Sequence, residues 1–216
     1  MSIEQSLISE IKGTSISELT GGFSELVLDS FLEEGLLRDI PIFGFLYKSY
    51  KGVIGIRDRL FIKKILDFLV QLRNIPQEKR VKFIEELDTS SQETVRVGQT
   101  LIMILDKLDD LNKSEVIGNL FKATVLEQLT YEDFTRLAAI VQRVYMADLK
   151  MLNNSSYYKD ETQEHFASVG LLKANIKEDK FGYGRVMGEA DKKYKIEYQI
   201  TESARKIIQY GLEKKI

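Results

Sequence analysis

The chain contains no cysteine, one histidine and two prolines in 216 residues. Without cysteine there can be no disulfide, no thiolate-ligated zinc and no thiol nucleophile. With a single histidine, a Ser-His-Asp arrangement or a histidine-rich metal site would have to be built on His165 alone. That residue lies between Glu164 and Phe166 and reads as an ordinary surface or half-buried side chain. Two prolines leave room for long helices, because proline breaks them. No run of 18 uncharged apolar residues is present, so no conventional transmembrane helix is expected. The opening Met1-Ser2-Ile3-Glu4-Gln5 lacks the basic and apolar regions of a secretory signal. A soluble, cytoplasmic chain is expected, with contact at the inner-membrane surface as a further option.

What is present is close to a globular average: 44% hydrophobic and 30% charged residues. Net charge is −2, but its distribution is uneven. By count, residues 1–40 carry −6, residues 41–82 carry +7, residues 83–136 carry −6 and the remainder carries +3. A basic block between acidic ones pairs internally or faces an anionic partner.

Helical periodicity dominates. A short helix is expected before Gly13, and Ser15-x-x-Glu18 reads as a capping box for a helix carrying Phe23 to Leu37. Asp39-Ile40-Pro41 breaks it. Leu60 to Leu72 is apolar over so much of its surface that it should be buried among other helices. Further helices are expected from Pro76 to Leu87, after Ser90-x-x-Glu93, and after caps at Asn112 or Ser114. Thr130-x-x-Asp133 opens the longest stripe, from Phe134 through Val144 and Tyr145 to Leu152. Short connections favour antiparallel neighbours in a bundle.

Asn153-Asn154-Ser155-Ser156 reads as a linker. Beyond it the pattern is a helix from Asp160 to Leu171, strands at Leu172–Ile176 and Tyr194–Ile200, and a last helix from Thr201 to Gly211. The predicted fold is mainly α: a multi-helix bundle over residues 17–152, with a small α+β module over 157–216 built on one β-hairpin. Val169-Gly170-Leu171-Leu172 before the hairpin, and Tyr198-Gln199-Ile200-Thr201-Glu202 after it, resemble part of a winged helix.

A second resemblance covers the body. It is carried by Leu28-Asp29-Ser30, Asp39-Ile40-Pro41, Arg57-Asp58-Arg59-Leu60-Phe61, Lys64 with Phe68-Leu69, and Ala147-Asp148-Leu149. These phrases, with a helical body preceding a small C-terminal module, resemble uncharacterised bacterial helical proteins and, distantly, the Abi-alpha group. That resemblance implies a role in abortive phage infection or stress, and it carries over no catalytic residues.

Four constellations bear on function. The segment from Ile40 to Lys64 sets Phe43, Phe45, Tyr47 and Tyr50 beside Gly44, Gly52 and Gly55, followed by Arg57, Arg59, Lys63 and Lys64. Aromatic side chains flanked by cations suit docking on a partner or an anionic membrane surface. The competing reading is a glycine-containing core helix, tightly packed. Asp106, Asp109 and Asp110 share a helix face and are the weak candidates for a metal, or for a metal-dependent enzyme. The preferred reading is a solvated face with Asp109 paired to Lys113 at i+4, or an internal ion pair to Arg57 or Arg59. Lys177, Lys180, Arg185, Lys192, Lys193 and Lys195 could touch nucleic acid as a basic wing. The preceding helix carries Asp160, Glu161 and Glu164, which suits DNA poorly. Gly182-x-Gly184-x-x-x-Gly188 lies in a hairpin with one residue too many for a dinucleotide fingerprint. Neither Gly-x-Ser-x-Gly nor a Walker loop occurs. The expectation is a non-enzymatic interaction or regulatory protein without a cofactor. A protein partner or a homo-oligomer is expected first, a membrane contact next, and nucleic acid least.

Overall fold

The computed structural model describes residues 2–18, 42, 44, 55–87, 91–152, 160–178 and 194–213. The expected helix over Phe23–Leu37, the linker at 153–156 and the hairpin connection fall outside these residues. What is described is a mainly helical bundle with one small antiparallel sheet.

The chain opens with α1 (Ile3–Lys12). Ser2 and Gln5 cap it reciprocally: the Gln5 amide donates to Ser2 Oγ, and the Ser2 amide to Gln5 Oε1. Leu7, Ile8 and Ile11 form its buried face. The helix lies before residue 17, where the bundle was expected to begin, yet it packs on α4 (Ser91–Asp106). A Cβ on Gly98 would stand 2.8 Å from the Glu4 carbonyl oxygen, so only glycine permits this crossing without movement.

The Ser15-x-x-Glu18 box is not made as a helix start. Ser15–Glu18 is a single 3-10 turn, and the Ser15 hydroxyl donates to Glu10 at 2.6 Å instead.

Three more helices complete the centre: α2 (Ile56–Val70), α3 (Gln77–Leu87) and α5 (Asn112–Val125). The strongly apolar stretch predicted from Leu60 is buried, with Ile62, Ile65, Leu66, Phe68 and Leu69 in the core. Phe121 stands at its middle, its ring 5.4 Å from Phe68, 5.6 Å from Phe83 and 5.2 Å from Phe134. A Cβ on Gly118 would meet the Phe68 carbonyl oxygen at 2.8 Å, which fixes how closely α2 and α5 cross.

Two expectations about this region need correction. Neither Asn112 nor Ser114 caps α5. The acceptor is Asp110, whose Oδ1 takes the Asn112 backbone amide at 2.8 Å and the Asn112 side-chain amide at 2.9 Å. The long stripe from Phe134 to Leu152 is also not one helix. It divides into α6 (Tyr131–Arg143) and α7 (Met146–Met151), with extended backbone at Val144 and Tyr145. Both halves still bury their stripe residues, Phe134, Leu137, Ala138 and Val141 in the first and Leu149 in the second, while Tyr145 turns outward. The buried Lys113 ammonium donates to the Gln142 carbonyl at 3.3 Å, satisfying an acceptor that the broken helix leaves without an intrahelical partner.

The C-terminal part follows the expected order: α8 (Asp160–Ser168), β1 (Leu172–Glu178), β2 (Tyr194–Ile200) and α9 (Glu202–Lys206). Gly170 turns the chain from α8 into β1 at φ 84°, a conformation glycine adopts freely. Thr201 caps α9 through the Ala204 amide. The helix then widens into a π turn, Ile207–Gly211. This end is anchored on the bundle. Ile207 and Ile208 join the common core, Asn119 Nδ2 donates to the Gly211 carbonyl, and Lys206 pairs with Asp133 at 3.1 Å.

Candidate docking surface

The described part of the Ile40–Lys64 segment divides by function. Ile42 is fully buried and belongs to the core. Phe43, Phe45, Tyr47 and Tyr50 lie outside the described residues. Gly55 starts α2, with its amide donating to Asp58 Oδ2 at 3.1 Å. From that start, Ile56 stands 81% exposed and Leu60, one turn on, is also exposed. Residues four apart share a helix face, so these two apolar side chains form one patch.

The four cations among the described residues of the segment do not act alike. Lys64 Nζ donates to the Leu108 carbonyl at 2.6 Å and to the Asp106 carbonyl at 3.3 Å. It therefore closes the C-terminal end of α4, where the helix dipole favours a cation. Burial pushes its ammonium below the usual lysine range, and Asp106 and Asp109 oppose that shift. Lys63 is half-buried and pairs with Asp67 at 3.4 Å. Burial holds the Asp67 carboxyl above its ordinary range, with Lys63 pulling it back. Arg57 points outward, its side chain 88% exposed, with a long 3.8 Å approach to Asp106. Arg59 is exposed as well. The outward set is thus Ile56, Arg57, Arg59 and Leu60.

The three aspartates are held apart by separate partners. Asp106 faces Arg57, Asp109 accepts from Lys113 at 2.6 Å, and Asp110 caps α5. The hydrogen bond from Lys113 holds the Asp109 carboxyl below its ordinary value. Among the described residues no three His, Cys, Asp or Glu side chains gather as a metal would require.

In the hairpin, Lys177 and Lys195 sit opposite each other in register, and Lys177 is bridged to Glu197. Lys180, Arg185, Lys192 and Lys193, with the Gly182–Gly188 pattern, lie outside the described residues. The helix before the hairpin exposes Glu161 and Glu164. His165 lies near the end of α8, with Nε2 enclosed and without a hydrogen-bond partner.

Sequence reasoning passed over Arg80, and it paired Lys113 with Asp109 on a solvated face without finding the lysine buried. Lys113 is fully buried, and Arg80 donates to the Ile11 carbonyl at 2.6 Å and the Ile75 carbonyl at 3.2 Å. The Ile11 carbonyl reached by Arg80 and the Gln142 carbonyl reached by Lys113 lie on elements distant in the chain, which leave no mark in a local pattern. It also passed over exposed Ile56, Ile176 and Ile196, whose apolar character reads as core until the packing is seen.

No helix among the described residues is long and apolar enough to cross a membrane. No protein-family model, curated protein or solved structure matches the chain.

Proposed function

We propose that this is a non-enzymatic interaction protein that docks on an anionic membrane surface through the start of α2. The observation that carries the reading is Ile56, exposed at the head of a helix whose later turns bury Ile62, Ile65, Leu66, Phe68 and Leu69, with Arg57 beside it. An exposed isoleucine costs apolar hydration that a lipid interface would relieve. Arg57 lies in the first turn of α2, where the helix dipole disfavours a cation and Asp58 is the acidic residue. Anionic headgroups offset that cost. The aromatic side chains of Phe43, Phe45, Tyr47 and Tyr50 precede this point in the chain, and aromatic residues favour the membrane–water interface.

Catalysis finds less support. The aspartate cluster is engaged in three separate structural contacts. Nucleic-acid binding has the hairpin lysines in its favour and the acidic surface of α8 against it. A role in phage defence or stress rests on the sequence resemblance alone. Flotation of the full chain with vesicles of defined charge tests the docking reading.

A further inference from the structure

The hairpin presents two unlike faces. Opposed residues of an antiparallel pair point the same way, so Leu172 and Ile200, Ala174 and Tyr198, and Ile176 and Ile196 share one face. The base of that face is covered: Leu172 is buried. Further out it is open, with Ile176 73% and Ile196 54% exposed. The opposite face is polar and carries Lys173, Lys177 and Lys195. Of the two strands, β1 carries two lysines on the polar face, Lys173 and Lys177, where β2 carries Lys195 beside Glu197. Among the described residues β1 pairs only with β2, and its other edge has no strand.

An edge with no strand partner among the described residues, beside an exposed apolar pair, is a template for strand addition. The lysines restrict what can add. Two copies of β1 paired antiparallel over their full length would be centred on Asn175, placing Lys173 of each opposite Lys177 of the other. Like charges directly opposite destabilise a strand pair. A second copy is therefore disfavoured at this edge. An incoming strand with acidic residues at alternate positions would meet Lys173 and Lys177, and its intervening apolar residues would cover Ile176.

We infer that the β1 edge is a docking site for an extended peptide segment of another protein, one that alternates acidic and apolar side chains. This surface is separate from the start of α2, and neither proposal depends on the other.

The test is selection of a random heptapeptide display library on the full-length protein. The expected result is enrichment, at least tenfold over an empty surface, of sequences alternating Asp or Glu with apolar residues. The doubly substituted Lys173→Glu, Lys177→Glu protein should select Lys or Arg at the acidic positions instead. Ile176→Lys, at a position already exposed, should abolish enrichment while leaving the melting curve unchanged, which separates a docking effect from loss of fold. Absence of enrichment, enrichment without alternation, or peptides indifferent to the charge reversal would each overturn the inference.

Discussion

Lys64 Nζ lies 2.6 Å from the Leu108 carbonyl oxygen, so a cation that the sequence offers to a partner instead closes the end of helix α4. This contact separates the structural from the exposed cations of one short segment. Replacing Lys64 with Met leaves two carbonyls without their donor. Hydrogen bonds to charged groups contribute about 1.5–3 kcal/mol, and the Lys64 site is only partly buried, so a loss near the low end is expected. Urea unfolding measures it. Vesicle retention of Lys64→Met should match the parent protein, because this side chain faces inward.

The aspartates offer a sharper comparison. Asp109→Ala removes the carboxylate from a fully buried Lys113, whereas Asp106→Ala removes a 3.8 Å contact to an exposed arginine. Breaking a buried pair costs roughly 3–5 kcal/mol, and an exposed pair roughly 0–1. Asp109 itself is largely solvated, which puts the first loss toward 3 kcal/mol. Unfolding free energies measured with and without Mg²⁺ should show this inequality and no metal dependence. Losses that appear equally in both variants only when Mg²⁺ is present, with a parent stabilised by Mg²⁺, would indicate a shared metal site.

Gly118 and Gly98 set the helix crossings. Adding a Cβ to either brings it 2.8 Å from a backbone oxygen. Alanine favours a helix over glycine by about 1 kcal/mol, yet overpacking against backbone costs roughly 1–3. Gly118→Ala is therefore expected to lower stability in chemical denaturation, against the propensity trend. A stabilised variant would contradict the crossing.

Much of the fold was legible because its signals are local. Thr130 and Asp133 exchange capping hydrogen bonds as their spacing suggested, and Thr201 caps the last helix. The strands expected at Leu172–Ile176 and Tyr194–Ile200 are present, the first running on to Glu178. What was not legible depends on partners far along the chain. The break at Val144 and Tyr145 interrupts an unbroken helical stripe, and only the approach of Lys113 to Gln142 marks the place. The aromatic cluster of Phe43, Phe45, Tyr47 and Tyr50, open in the sequence between a docking surface and a core helix, falls outside the described residues. The candidate surface is therefore read from Ile56 and Arg57.

Glu10 supplies a pH signature. Its carboxyl is buried at the α1–α3 junction, and burial raises its pKa above 4.5, opposed by the Ser15 hydrogen bond and by Arg80. A group raised in the folded state binds its proton more tightly there than in the unfolded chain. Stability from that proton is complete below the unfolded value and is lost as pH rises through the folded one. The difference in unfolding free energy between the parent and Glu10→Gln should shift against the parent as pH is raised from 4.5. A flat difference curve would contradict the burial of this carboxyl.

The docking surface is tested most directly by flotation with phosphatidylglycerol–phosphatidylcholine vesicles. Burying one isoleucine contributes about 1.5–3 kcal/mol, and each cation near an anionic surface about 1. The parent protein should float with the anionic vesicles at low salt, remain below with phosphatidylcholine alone, and release as salt screens the charges. The double variant Ile56→Asp, Arg57→Glu should lose retention by roughly tenfold or more, at unchanged helical content. A parent protein that stays below with anionic vesicles, or a double variant that floats equally well, would contradict docking through the start of α2.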